Sequence, residues 1–232
     1  MPRIEPPDTS GTGLWVRLAA PWQRCLEEAW AGYVSGCHPI AAAVVDAAGR
    51  VLVMGRNRIY ERGPLPGQLA GNPLAHAEVN ALAQLAHDTD GLRACVLYTT
   101  TEPCPFCIGA LYMSGVRGLR YASRDAWAGS VDLLGATPYM RRKAISVCGP
   151  ESPELEEVLV ALRTANHLRL SADRAQPSLE LTRAICPAGV AAGEALFQSG
   201  GLARRAAEGA PVAAVVDAIA ALVRECGPAA MR

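Results

Sequence analysis

No stretch of this sequence stays apolar for the ~18 residues that a membrane-spanning helix requires. Half of its 232 residues are hydrophobic, but Arg, Glu, Asp or Gly interrupts them every few positions, which excludes a helical span. The basic start and apolar stretch of a secretory signal are missing as well. Met1 to Gly13 carries Pro, Asp, Glu and Gly instead, so the expected location is the cytoplasm. Nor is there an excess of charge of either sign: Lys and Arg number 22, and so do Asp and Glu. No overall positive field therefore gathers a polyanion from solution, which weighs against a nucleic-acid substrate. Paired cysteine spacing is absent everywhere but one place. Cys25, Cys37, Cys95, Cys148, Cys186 and Cys226 stand singly, in a chain too long for the disulfide frameworks of short secreted domains. They are expected reduced and buried as small hydrophobes, and no second zinc site is predicted.

What is present reads as one α/β domain with additions. Residues 1–19 form a loosely ordered leading segment, 20–150 a catalytic domain, and 151–232 a helical extension. The apolar spacing from Pro21 to Tyr33 suits a helix with one buried face. Ile40–Asp46 and Val51–Gly55 are β-rich runs joined by Ala47-Ala48-Gly49-Arg50, where Gly49 can take the positive φ of a tight turn. Both runs are apolar throughout, so their sheet is covered on both faces. Residues 57–74 follow as a loop too long to be idle in a compact domain. A helix from Ala75 to about Ala86, a strand at Cys95–Thr100, a helix at Cys104–Ser114, a strand at Val116–Ala122 and a last strand at Arg141–Val147 then alternate. That order predicts parallel pairing beside the hairpin. Beyond residue 150, Glu154–Leu168, Ser178–Ile185, Val190–Arg205 and Val212–Arg224 read as helices, the last burying one face against the core or a partner subunit.

The chemistry is concentrated in His76-Ala77-Glu78 at the start of one predicted helix and Pro103-Cys104-Pro105-Phe106-Cys107 at the start of the next. One imidazole and two thiolates supply three ligands for a tetrahedral Zn²⁺ and leave the fourth position open, which separates a catalytic zinc site from a closed structural one. The helix amino ends favour thiolate over thiol at Cys104 and Cys107. Pro105 suits a first turn whose N–H would be unpaired anyway. Bound zinc acidifies water to a pKa of roughly 7. Glu78, two positions from His76, is the carboxylate that takes a proton from that water and gives it to the substrate.

H-x-E followed by P-C-x-x-C is the signature of the cytidine deaminase-like zinc deaminases. HAEVNAL with TEPCPFCIGAL resembles the branch that contains guanine deaminases and tRNA-specific adenosine deaminases, and ASRDAWAGSVDLL is similar to the segment following the strand in the tRNA enzymes. The resemblance covers roughly residues 20–170. It implies a three-layer α/β fold with a five-stranded mixed sheet flanked by helices, a homodimer, and zinc as the sole cofactor. The implied activity is hydrolysis of a C–N bond in a cyclic amidine. An exocyclic amino group on a nucleobase, nucleoside or related small heterocycle becomes a carbonyl, and ammonia leaves. Residue by residue, His76, Cys104 and Cys107 match the ligands and Glu78 the proton shuttle. Asn57 matches an asparagine whose amide bonds the base, and the Ala77 N–H is a partner for a substrate acceptor. The loop from Asn57 to His76 is longer than in the tRNA enzymes, PCPFC is closer to the free-purine deaminases, and the helices past residue 170 lie outside the resemblance.

Two alternatives stand beside this reading. A tRNA-specific adenosine deaminase leans on Arg141-Arg142-Lys143, the one dense basic run, which as a solvated face would do nothing. A non-catalytic zinc-binding scaffold would have no use for Glu78. Trp127 and Tyr139 either stack on a base or pack in the core. His38, His87 and His167 lie outside the motif and are set aside as packed or solvated side chains.

Overall fold

The computed structural model describes residues 13–63, 65–86 and 91–227. Residues 1–12 of the leading segment expected to be loose, and His87, lie outside the described residues. The rest of that segment is ordered: α1 (Leu14–Arg17) buries Leu14 against the core, and Asp217 accepts a hydrogen bond from the Trp15 N–H at 2.9 Å. Two leucines placed over the apolar core, Leu14 and Leu18, hold down a stretch whose composition alone reads as loose.

Next comes α2 (Ala20–Val34), with a proline in its first turn, and then the hairpin of β1 (Ala41–Val45) and β2 (Val51–Arg56). The turn closes on Asp46, whose Oδ1 accepts from the N–H groups of Ala48 and Arg50, and Gly49 supplies φ of 82°. After α3 (Ala77–Leu82), β3 (Val96–Thr99), α4 (Pro105–Ser114) and β4 (Gly118–Tyr121), the sheet ends with β5 (Ser146–Cys148). The strand order is β2-β1-β3-β4-β5. β1 pairs antiparallel with both neighbours, while β3, β4 and β5 run parallel. β5 begins later than expected because Met140–Arg142 winds into a 3₁₀ turn. Lys143 is also diverted, donating to the Tyr112 carbonyl at 2.8 Å.

β1 shows why there are three layers. All five of its residues are buried; Ala41, Ala43 and Val45 join one apolar cluster, and Ala42 and Val44 join the other. The second cluster contains residues of α3 and α4. The first contains α1, α2 and the helices beyond residue 150: α5 (Pro153–Ile185), α6 (Pro187–Gln198), α7 (Gly201–Ala207) and α8 (Val212–Cys226). The expected division between Glu154–Leu168 and Ser178–Ile185 falls at Ser171, where the backbone leaves helical geometry and two helical stretches meet at a kink within α5. The single helix expected over Val190–Arg205 is divided between α6 and α7 at Gly200.

Candidate active site

α3 and α4 start beside one another, and each begins at a ligand. His76 is the residue capping the amino end of α3, and Cys104 occupies the same position on α4, with Cys107 one turn further on. The strand before α4, β3, delivers Thr99 into the same place. α3 is held close to β2 because Gly55 leaves no side chain between them: a Cβ there would meet the Ala81 nitrogen at 2.3 Å and the Ala77 carbonyl oxygen at 2.5 Å.

The three donor atoms form a triangle. Cys104 Sγ lies 3.6 Å from His76 Nδ1, Cys107 Sγ 3.5 Å from the same nitrogen, and the two sulfurs are 3.7 Å apart. With Zn–S of about 2.3 Å and Zn–N of about 2.0–2.1 Å, a tetrahedral ion sets edges of ~3.8 Å between sulfurs and ~3.6 Å from sulfur to nitrogen. The donors therefore fit zinc in both chemistry and spacing, and they are positioned to form a zinc site. The Phe106 ring stands edge-to-face with His76, 5.7 Å between centroids.

Glu78 is 4% exposed. Its Oε1 accepts from Thr99 Oγ1 at 2.8 Å, and its Oε2 lies 3.2 Å from Cys107 Sγ. Burial pushes its carboxyl above the usual carboxylate range, against the hydrogen bonds from Thr99 and Cys107. The hydrogen bond shared by the two cysteines brings the Cys104 thiol down to about 4 and, together with burial, drives the Cys107 thiol up. One thiolate thus stands ready for a cation.

His76, Ala77, Glu78, Cys104, Cys107 and Asn57 all line a single cavity of about 380 Å³. Asn57 is 4% exposed, and its Oδ1 accepts from the Ile59 N–H at 3.3 Å, which leaves its amide N–H groups for a ligand. Asn80, overlooked by sequence reasoning, pins the long loop: its Nδ2 donates to the Arg56 and Leu69 carbonyls, and its Oδ1 accepts from the Leu69 N–H. Glu61 ties the same loop to Arg56 and Arg58. Thr99, Glu102 and Asp125 were also missed. Thr99 ends a buried strand, and Glu102 and Asp125 stand singly in loops; none carries a spacing signal, and each comes to the site only through the fold.

The cavity's other wall comes from α5. Arg163, Thr164 and His167, and beyond the kink Ser178, Leu179 and Thr182, face the motif residues together with His38. Trp127 lines the cavity and is 64% exposed, whereas Tyr139 does not line it.

Comparison with known proteins gives the following. Residues 19–123 match the family model of the cytidine and deoxycytidylate deaminase zinc-binding region. A probable cytosine deaminase of Schizosaccharomyces pombe is 34% identical over 124 residues, 53% of this chain and 71% of that protein. A guanine deaminase of Bacillus subtilis is 30% identical over 44% of this chain and 61% of its own length. Among solved structures, a guanine deaminase from Nitrosomonas europaea superimposes with a TM-score of 0.50 at 31% identity, over 64% of this chain and 85% of that one.

Proposed function

The chain belongs to the cytidine and deoxycytidylate deaminase zinc-binding family, and from that premise we propose that it is a hydrolytic deaminase of a small amino-substituted heterocycle. The observation that carries this reading is Glu78, buried beside three zinc donors that leave one tetrahedral position open. Bound zinc supplies acidification of water, from a pKa of 15.7 to about 7. Asn57 holds the ring through its free amide, and the Ala77 N–H meets an acceptor on it. Glu78 takes a proton from the attacking water, passes it to the ring nitrogen beside the attacked carbon, and conveys a second to the departing amino group. A C–N bond is exchanged for a carbonyl, and ammonia leaves. Thr99 positions the carboxylate, and the elevated proton affinity that burial gives it suits a group that must hold a proton between two transfers.

In this reading residues 20–150 form the deaminase domain, and the helices beyond them supply its second wall. A small-molecule substrate is favoured over tRNA because two residues of the basic run are tied to the chain's own backbone. Lys143 lies 4.4 Å over the Tyr112 ring and bonds its carbonyl, and Arg141 donates to the Gly135 carbonyl. The test is ammonia release by zinc-loaded protein from cytosine, guanine, adenine and their nucleosides. A Glu78-dependent hit supports the reading; silence across the panel with adenosine-to-inosine conversion in an anticodon-loop RNA overturns the choice of substrate.

A further inference from the structure

A second set of polar groups lines the cavity that the deamination chemistry does not use. We infer that His38 and His167 form a recognition subsite for a hydroxyl-bearing substituent on the heterocycle, such as a sugar, through one donated and one accepted hydrogen bond. The inference rests on the deaminase reading for the ring that carries the substituent.

The neighbours fix the protons. Arg169 donates to Asn166 Oδ1 at 2.7 Å, which turns the Asn166 amide so that its Nδ2 donates to His38 Nδ1 at 3.4 Å. Arg169 is itself anchored on Tyr33, 4.1 Å over the ring and bonded to its carbonyl. His38 therefore carries its proton on Nε2. The Ser178 hydroxyl donates to the Ala175 carbonyl at 2.9 Å, so its oxygen accepts from His167 Nδ1 at 3.4 Å. That leaves a lone pair on His167 Nε2. Neither Nε2 has a hydrogen bond among the described residues. The two rings stand edge-to-face, 6.5 Å between centroids, and present one donor and one acceptor to the same cavity.

Both imidazoles are neutral in the fold. Burial first, then His167, His76, Arg163 and Arg169, bring His38 down to about 4; burial and Arg163 lower His167 against Asp125. A neutral donor beside a neutral acceptor matches a hydroxyl, which is both. A phosphate or carboxylate has only acceptors and would meet the His167 lone pair. Arg163 also lines the cavity: its Nη2 donates to the Arg124 carbonyl and Asp125 offsets its charge from 3.8 Å, while its buried Nη1 has no hydrogen-bond partner among the described residues and is a further donor to a hydroxyl, so the monophosphate is included in the test as the anion arm. The cavity volume falls in the range that encloses drug-sized ligands, so there is room beyond the ring.

The experiment is calorimetric binding to zinc-loaded Glu78→Gln protein. The ligands are a free base, its nucleoside, the 2′,3′,5′-trideoxynucleoside and the 5′-monophosphate, in the cytosine, guanine and adenine series. The nucleoside is expected to bind at least tenfold more tightly than the trideoxy analogue, which keeps the sugar ring and has no hydroxyl. His38→Phe and His167→Leu should each reduce that preference towards one, with His167→Gln restoring part of it. Equal binding of nucleoside and trideoxynucleoside overturns the subsite without need of any variant, as does a preference unchanged in both variants. Tightest binding by the monophosphate overturns it in favour of an anion site. No binding by any base or nucleoside, with one zinc per chain, would sink the deaminase reading and the subsite with it.

Discussion

Cys104 stands at the amino end of α4 and supplies one corner of the donor triangle, so Cys104→Ala is predicted to lower zinc from one per chain to near zero, measured by elemental analysis after dialysis. Thr99 touches the shuttle but not the ring. Thr99→Val should reduce kcat about tenfold, the equivalent of one hydrogen bond of about 1.4 kcal/mol, with KM little changed. His76, Glu78, Cys104 and Cys107 were legible in the sequence because their spacing repeats the geometry of their chemistry: two ligands one helical turn apart and a carboxylate two residues from the third. His38 and His167 were not legible. They stand singly in the sequence, 129 positions apart, and only the packing of α5 across the cavity brings their rings together.

At the scale of elements, the hairpin and the two strands β3 and β4 could be read from apolar runs and turn residues, and β1, buried on both faces, has no polar alternation to obscure it. β2, expected to be covered on both faces, lies at the sheet edge with Leu52 exposed, and the short, exposed β5 was placed too early. Helix ends were harder to place. α3 stops at Leu82, four residues short of its pattern, where Gln84 turns its amide back to the Asn80 carbonyl. The helical nature of residues 169–177 was hidden by Pro177, which α5 accommodates close after its kink at Ser171. Two predictions belong here. Gly55→Ala forces a Cβ into the backbone of α3, and should cost about 1–3 kcal/mol in a thermal melt while weakening zinc retention, since α3 carries His76. Ser152 caps α5 by accepting from the Leu155 N–H, so Ser152→Ala should cost about 1 kcal/mol with zinc content unchanged.

For the whole molecule, pH couples stability to the buried histidines. His38 titrates at about 4 in the fold against an ordinary 6.5. Its neutral form therefore contributes stability that is fully present above pH 6.5 and is lost as pH falls towards 4. The acid slope of denaturant unfolding should be shallower in His38→Gln than in the original chain; equal slopes would show that His38 is not the group responsible. No helix among the described residues is long and apolar enough to cross a membrane. Phe106 and Met113 nonetheless stand exposed on one face of α4, with Tyr139 beside Met113. That apolar patch is predicted to pair two chains, and light scattering should return twice the 24.4 kDa of one. The account as a whole turns on Glu78, and the direct measurement is ammonia release per zinc by the original chain and by Glu78→Gln on the same substrate, with metal content read on the same samples. One zinc per chain in both proteins, with turnover in the variant reduced at least 100-fold, is the predicted result. Undiminished turnover by zinc-loaded Glu78→Gln would contradict it.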